Sequence, residues 1–255
     1  MMRLTQITRY PVKSMQGETV SNGTIEADGL RGDRGWGIRD ETTGKILTGR
    51  RAPQLLYATA VLAPDDTPLI TLPTGATCNG PGAKTDAALS QWLDKPVRLV
   101  SSADERAARA EYFADPTDDA SEAIEWTLPR GRFVDAMPLL VLTTASLRTA
   151  AALYPQGDWQ VRRFRPNLVV DVADDGWVED AWCGSSTLRI GAVELLPQEL
   201  CKRCTMVTRP QPDLDDDRDI FRTLARHHGG RFGAWTAVAT GGTVRVGDEV
   251  CVEPG

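Results

Sequence analysis

Two thiols three positions apart, Cys201 and Cys204, flank Lys202 and Arg203 in the stretch VELLPQELCKRCTMVT at residues 193–208. Cations beside a thiol favour the thiolate, the form that attacks electrophiles and binds soft metals. A C-x-x-C alone supports a redox dithiol, half of a zinc site, or one metal-ligating thiolate beside a bystander. A thioredoxin-like dithiol opens a helix in a βαβ setting, whereas TMVTRPQPDLD leads here into prolines and aspartates. A closed zinc site needs about four ligands, and Cys183, Cys251, His227 and His228 form no second metal-binding pair. Nucleophilic cysteine catalysis lacks a base, because the only histidines are His227-His228, read as a solvated helix end. The third chemistry needs a metal that arrives on an anionic cofactor, with cations, hydroxyls and helix N-termini to hold it. Lys13-Ser14, Arg31, Arg34, Arg50-Arg51, Arg165 and Asn167 could do so, as could Thr143, Thr144 and Ser146 at a helix start. Singly, each of these also reads as surface solvation, hairpin pairing or capping, and the residues alone leave the choice open.

The elements that must position these groups are mostly strands. RLTQITRYPV at 3–12 alternates loosely and ends at a proline, and the Gly-rich 29–39 precedes a hairpin turn around Gly44. Ala88, Leu89, Trp92 and Leu93 share a helical face that Pro96 ends. Residues 101–125 are acidic and poor in aliphatics, an interdomain excursion that Tyr112-Phe113 could pin in part. Pro138 to Leu142 reads as a buried strand, followed by a helix capped by Thr143-Thr144 and stopped at Pro155. VRRFRPNLVV at 161–170 pairs an apolar strand with a bend at Pro166. LRIGAVELL and VRVGDEVCV read as two hairpins of similar design, with a short helix from Ile220 to His228 between them, closed by Gly229-Gly230. No βαβ period runs through the chain, and Gly32, Gly35 and Gly37 have the wrong spacing for a dinucleotide fingerprint.

A length of 255 residues permits one large or two small domains, and 41% hydrophobic content is that of a globular protein. A net charge of -6 argues against nucleic acid or an anionic membrane as the main partner. There is no apolar leader segment and no span long enough for a bilayer, and five scattered cysteines suit a reducing compartment, so a cytoplasmic location is expected.

YPVKSMQG, LRGDRGWGI, ILTGRRAPQL, LLVLTTASL, FRPNLVV, LRIGAVELL, CKRCTMVT and GTVRVGDEV, in this order, resemble the MOSC family with its N-terminal β-barrel domain. The resemblance covers nearly the whole chain; well-described members of the family include the mitochondrial amidoxime reducing components and their bacterial counterparts. It implies a mainly β fold with a few helices (α+β): a β-rich N-terminal domain at 1–100, the acidic linker or excursion at 101–125, and a β-barrel MOSC domain at 126–255. It also implies a molybdenum cofactor, Mo-molybdopterin, with no part for pyridoxal phosphate.

By that resemblance the second thiol of C-x-R-C, Cys204, is the metal ligand and catalytic residue. Lys13, Ser14, Arg34, Arg50, Thr144, Ser146, Arg165 and Asn167 are the cofactor-binding set. Thr144 stands where many relatives have Asp and Arg51 where many have Gln, which bears on pocket shape and substrate preference. The implied activity is reduction of small N-oxygenated compounds. Electrons are expected from a separate ferredoxin-, flavin- or cytochrome-type protein, since the chain ends at Gly255 with no further cysteines. Two alternatives accompany it: a cofactor-binding or sulfur-carrier protein using a persulfide on Cys204, and a molybdenum-free MOSC protein repurposed for a specialised metabolite.

Overall fold

Leu139–Thr143 is apolar at four of its five positions and buried at all of them, which suits a strand covered on both faces. Its last residue turns the chain into a helix, because the Thr143 hydroxyl accepts the Ser146 amide as an N-cap for α2 (Thr144–Leu153). That helix is the crossover to a parallel strand, Leu168–Asp171. The computed structural model, which describes residues 1–115, 117–118 and 120–255, closes these strands into a seven-stranded barrel. Around the barrel run Leu168–Asp171, Leu139–Thr143, Arg231–Thr240, Val193–Lys202, Ser186–Ile190, Glu249–Pro254 and Met2–Arg9, the last pairing back to the first. Leu4, Ile7, Val141, Leu168, Leu188 and Leu195 fill its core. The first strand of the chain thus completes a barrel built otherwise from residues beyond 138.

The two longest barrel strands, Val193–Lys202 and Arg231–Thr240, pair with register shifts at Pro197/Glu199 and Leu200/Lys202. Such irregularities re-aim side chains at barrel rims, and the second one brackets Cys201. The strand runs out into a 3-10 turn, Thr205–Thr208, on which α3 (Arg218–His228) packs. Asp217 caps the start of α3 and Gly229, at φ 59°, ends it. The first half of the chain is built of small antiparallel sheets, including Trp36–Asp40 with Val97–Ser101, and α1 (Ala83–Leu93), which buries Leu89 and Leu93.

Three local expectations change. Val161–Arg163 is a 3-10 turn and not a strand, so the bend falls before Pro166 and leaves Arg165 in the left-handed region at φ 55°. VRVGDEVCV is no hairpin: Gly242–Arg245 pairs with Asn22–Glu26, whereas Glu249–Pro254 pairs within the barrel. His228 is not solvated, since it stacks on Trp177 at 4.2 Å between rings and holds both Asp180 and the Arg231 carbonyl. In the acidic stretch, Arg109–Phe113 pairs with Ala123–Thr127, and buried Ala110 and Phe113 anchor the pair. Among the described residues, no helix is long and apolar enough to cross a membrane.

Candidate cofactor site

Where the barrel meets the first half of the chain, a cleft of about 130 Å³ gathers groups from seven separate stretches, four of which carry most of the residues singled out in the sequence. The loop after the first strand supplies Lys13 and Ser14, and the Gly-rich turn supplies Arg34. The segment 163–167 supplies Arg165 and Asn167, and the end of Val193–Lys202 brings Cys201, Arg203 and Cys204. Seven cationic side chains line the cleft against one carboxylate, Asp135. An apolar wall that includes Met137, Phe164 and Trp235 completes the lining.

Hydrogen bonds set this lining. The Ser14 hydroxyl accepts the Gly49 amide at 2.8 Å, which joins the Lys13 loop to the Arg50 loop. Arg34 is held by Asp33, which is fully buried and also accepts the Tyr10 amide. Asn167 accepts the Leu140 amide and donates to Thr8. Lys13, its side chain 5% exposed, donates to Phe133 O and to Asp135. Arg50 pairs with the other Asp135 oxygen at 3.0 Å, stacks on Tyr112 and lies against the Cys204 sulfur. Tyr112 donates to Asp135 at 2.9 Å, so the acidic stretch sends one ring to the cleft.

The cleft is organised for negative charge. Burial lowers the Arg165 pKa to about 10, and the neighbouring Arg34 adds to the effect. Its Nη1 donates to Met15 O at 2.8 Å, while its Nη2 is buried with no protein partner. Burial also lowers the Lys13 pKa, with Asp135 pulling the other way. Burial would raise the Asp135 pKa, but Lys13 and Arg50 outweigh it and hold the carboxyl well below the usual range. Burial raises Tyr10 to about 12, against the pull of Arg165 and Arg34, both of which lie over its ring. Three cleft residues, Ser14, Arg34 and Arg165, are non-glycine residues at positive φ, 69°, 50° and 55°. Such conformations cost of order 1–3 kcal/mol each and concentrate where geometry serves a ligand.

Of the residues singled out in the sequence, Lys13, Ser14, Arg34, Arg50, Arg165, Asn167 and Cys204 line this one cleft. Thr144 and Ser146 do not. The N-terminus of α2 is taken by a carboxylate of the chain itself: buried Glu179 bonds the Ser146 hydroxyl and accepts the Thr143 amide at 2.7 Å. Thr144 bonds Asp171. Sequence reading missed Asp135, Tyr112 and Arg163, the last holding the Val207, Arg209 and Asp215 carbonyls around the turn after Cys204. None of these lies in a spaced motif, and only the apolar strand beginning at Leu139 hinted that Asp135 stands at a loop-to-core junction.

An anionic, pterin-borne metal fits this donor set: a buried guanidinium nitrogen with no partner, an excess of cations, soft thiols and apolar lining residues. Pockets that enclose a whole drug-sized ligand run to roughly 300–1,000 Å³; this cleft is smaller, with Asp135 bridging Lys13 and Arg50. Among the described residues, no three His, Cys, Asp or Glu side chains cluster to hold a metal ion.

The chain has relatives. Residues 129–251 match the MOSC domain model, and residues 1–116 match that of the MOSC N-terminal beta barrel domain. It is 28% identical to mitochondrial amidoxime-reducing component 1 of Mus musculus, over 97% of this chain and 81% of that one. It is 24% identical to molybdenum cofactor sulfurase of Solanum lycopersicum, over 80% of this chain but 28% of that protein. In fold it is similar to the YuaD protein of Bacillus subtilis, with a TM-score of 0.52 and 13% identity over 100% of this chain and 97% of that one.

Proposed function

The chain belongs to the MOSC family with its N-terminal β-barrel domain, and from that premise we propose that it is a molybdenum-cofactor-dependent reductase of N-oxygenated compounds, with Cys204 as the metal's protein ligand. The observation that carries this reading is that the Cys204 sulfur shares one cleft with Lys13, Arg34, Asn167 and the half-unpartnered Arg165. Relatives named for amidoxime reduction and for the molybdenum cofactor support the same class of chemistry. When bound, the molybdenum supplies a two-electron couple able to accept oxygen from an N–O bond. The net reaction converts R–NHOH, two electrons and two protons into R–NH2 and water.

The chain's own groups bind and orient. Arg165 Nη2, Arg34 and Lys13 would hold the anionic cofactor, and Arg165 and Arg34 are fixed beforehand by hydrogen bonds to Met15 O and Asp33. Arg50 lies against the Cys204 sulfur and keeps a cation beside it. Phe164, Met137 and Trp235 would offer apolar contact to the cofactor. Asp135, which accepts the Tyr112 hydroxyl, is the carboxylate that the cleft sets against its cations. A separate electron-donor protein and a small N-oxygenated substrate are the partners this reading requires.

Protein from a host that makes the cofactor is expected to contain molybdenum and to reduce an aromatic amidoxime with a chemical electron donor. Cys204→Ser should abolish that reduction. Wild-type rates in the Cys204 variant would sink the assignment. The sulfurase relatives keep one second reading in play, a sulfur carrier, and a persulfide mass on Cys204 without amidoxime turnover would favour it.

A further inference from the structure

We propose that Cys201 is a positioning residue, acting through Arg203 on the 164–167 turn that presents Arg165 and Asn167 to the cleft; this rests on the proposed function and assigns its second thiol a task. The Arg203 guanidinium divides its donors between two acceptors: Nη1 reaches the Cys201 sulfur at 3.0 Å and Nη2 reaches Phe164 O at 2.7 Å. Among the described residues no ion pair joins Arg203 to a carboxylate. The sulfur, on a residue 4% exposed, is therefore one of the two acceptors that fix this guanidinium, which also lies 5.8 Å from the centre of the Phe164 ring.

The turn it reaches is pinned in an unusual way. Four consecutive carbonyls each receive a donor from another element: Phe164 O from Arg203, Arg165 O from Arg34, Pro166 O from the Tyr10 hydroxyl and Asn167 O from the Thr8 amide. The last three donors come from the first half of the chain. Among the described residues, Arg203 alone of these four donors comes from the 201–204 segment that carries the thiols. Arg165 stays at φ 55° only while its neighbours over-determine it, so slack at Phe164 O falls on that residue first. Two rival tasks for Cys201, a second metal ligand and a mere space-filler, require no bond to Arg203.

Hydrogen–deuterium exchange on the full-length protein, read at the amides of Phe164, Arg165 and Asn167, tests the relay together with the molybdenum retained after dialysis. Cys201→Ala and Cys201→Val should each speed exchange there about fivefold or more. Cys201→Ser, which restores an acceptor, should return it to within about twofold of wild type. Arg203→Lys should match Cys201→Ala, and the double variant should be no faster than either single one, as expected for one shared interaction. Molybdenum should leave the Ala and Val variants faster than wild type.

Wild-type exchange in Cys201→Val would reduce the thiol to a space-filler and overturn the proposal. So would unchanged exchange in Cys201→Ala. A Cys201→Ser variant as depleted of molybdenum as Cys204→Ser would make Cys201 a ligand and overturn it too. Wild-type protein free of molybdenum would instead refute the proposed function, and the exchange arm would still decide the relay.

Discussion

Arg165→Met should leave the unliganded protein as stable as wild type or more so, while crippling its hold on anions. A half-buried arginine with a 2.8 Å hydrogen bond and an aromatic partner at 4.2 Å would ordinarily be costly to remove. Here the charge itself is penalised: lowering of its pKa to about 10 by burial and Arg34 corresponds to roughly 3 kcal/mol against the charged form. Because the residue is partly exposed at the cleft, about half of that is a fair share. Losing the bond to Met15 O gives back about 1 kcal/mol, and methionine tolerates φ 55° no better than arginine does. The net expectation is from zero to about 1 kcal/mol of stabilisation, or up to roughly 4 °C in melting temperature at neutral pH. Affinity for an anion contacting Nη2 should fall by about 10- to 100-fold, the worth of one charge-assisted hydrogen bond. Calorimetry of cofactor-free protein, with titration of inorganic phosphate or pterin phosphate, measures both. A loss of more than about 1 kcal/mol in stability would show that Arg165 serves the fold and would refute the reasoning.

Asp135→Asn should destabilise the protein at neutral pH, because buried Lys13 then keeps only the Phe133 carbonyl as a full acceptor. The folded-state pKa of Asp135 is depressed, so its contribution is complete above the unfolded value near about 4 and is lost as pH falls through the folded one. The gap between the two proteins in urea melts should therefore begin to narrow below about pH 4 and go on narrowing as pH falls further, and a gap that stays constant through that range would contradict the ion-pair reading. Ser14→Ala strands the buried Gly49 amide and should cost about 1–3 kcal/mol by urea midpoint; a neutral result would mean water replaces the hydroxyl. Asp217→Ala removes the cap of α3 and should cost about 1 kcal/mol while the cleft keeps its anion affinity, separating general stability from site geometry.

The strand-and-helix plan was legible where one local signal decided the outcome. Thr143 before an alternating apolar stripe announces α2, and Gly229-Gly230 announces the end of α3. VRVGDEVCV misled because a Gly-x turn between alternating strands specifies a bend, whereas the partners of the two strands are chosen by the barrel and by Asn22–Glu26, more than two hundred residues away. Ser146 misled for a related reason. A helix N-terminus attracts an anion, but sequence cannot say whose anion, and Glu179 of the same chain lies there. Asp135 and Tyr112 were hidden because a lone acid and a lone aromatic acquire meaning only when two loops and a hairpin converge.

The left-handed residues connect these successes and failures. Asp94 at φ 51° simply ends α1 at the surface, a place the chain needs for a helix stop. Ser14, Arg34 and Arg165 occupy the same backbone region without that excuse, and glycine at any of them would remove strain of order 1 kcal/mol. Glycine there would also delete the hydroxyl on Gly49 or a guanidinium of the cleft. Strain is retained at the positions where the side chain, and not the turn, is what the structure keeps. The pinned carbonyls at 164–167 are the means of retention, since donors on Arg203, Arg34, Tyr10 and Thr8 hold the turn together and each of them carries part of the restraint. A cleft organised in this way holds its cations apart from one another and ready before any anion arrives, which is the condition for binding that loses little to rearrangement.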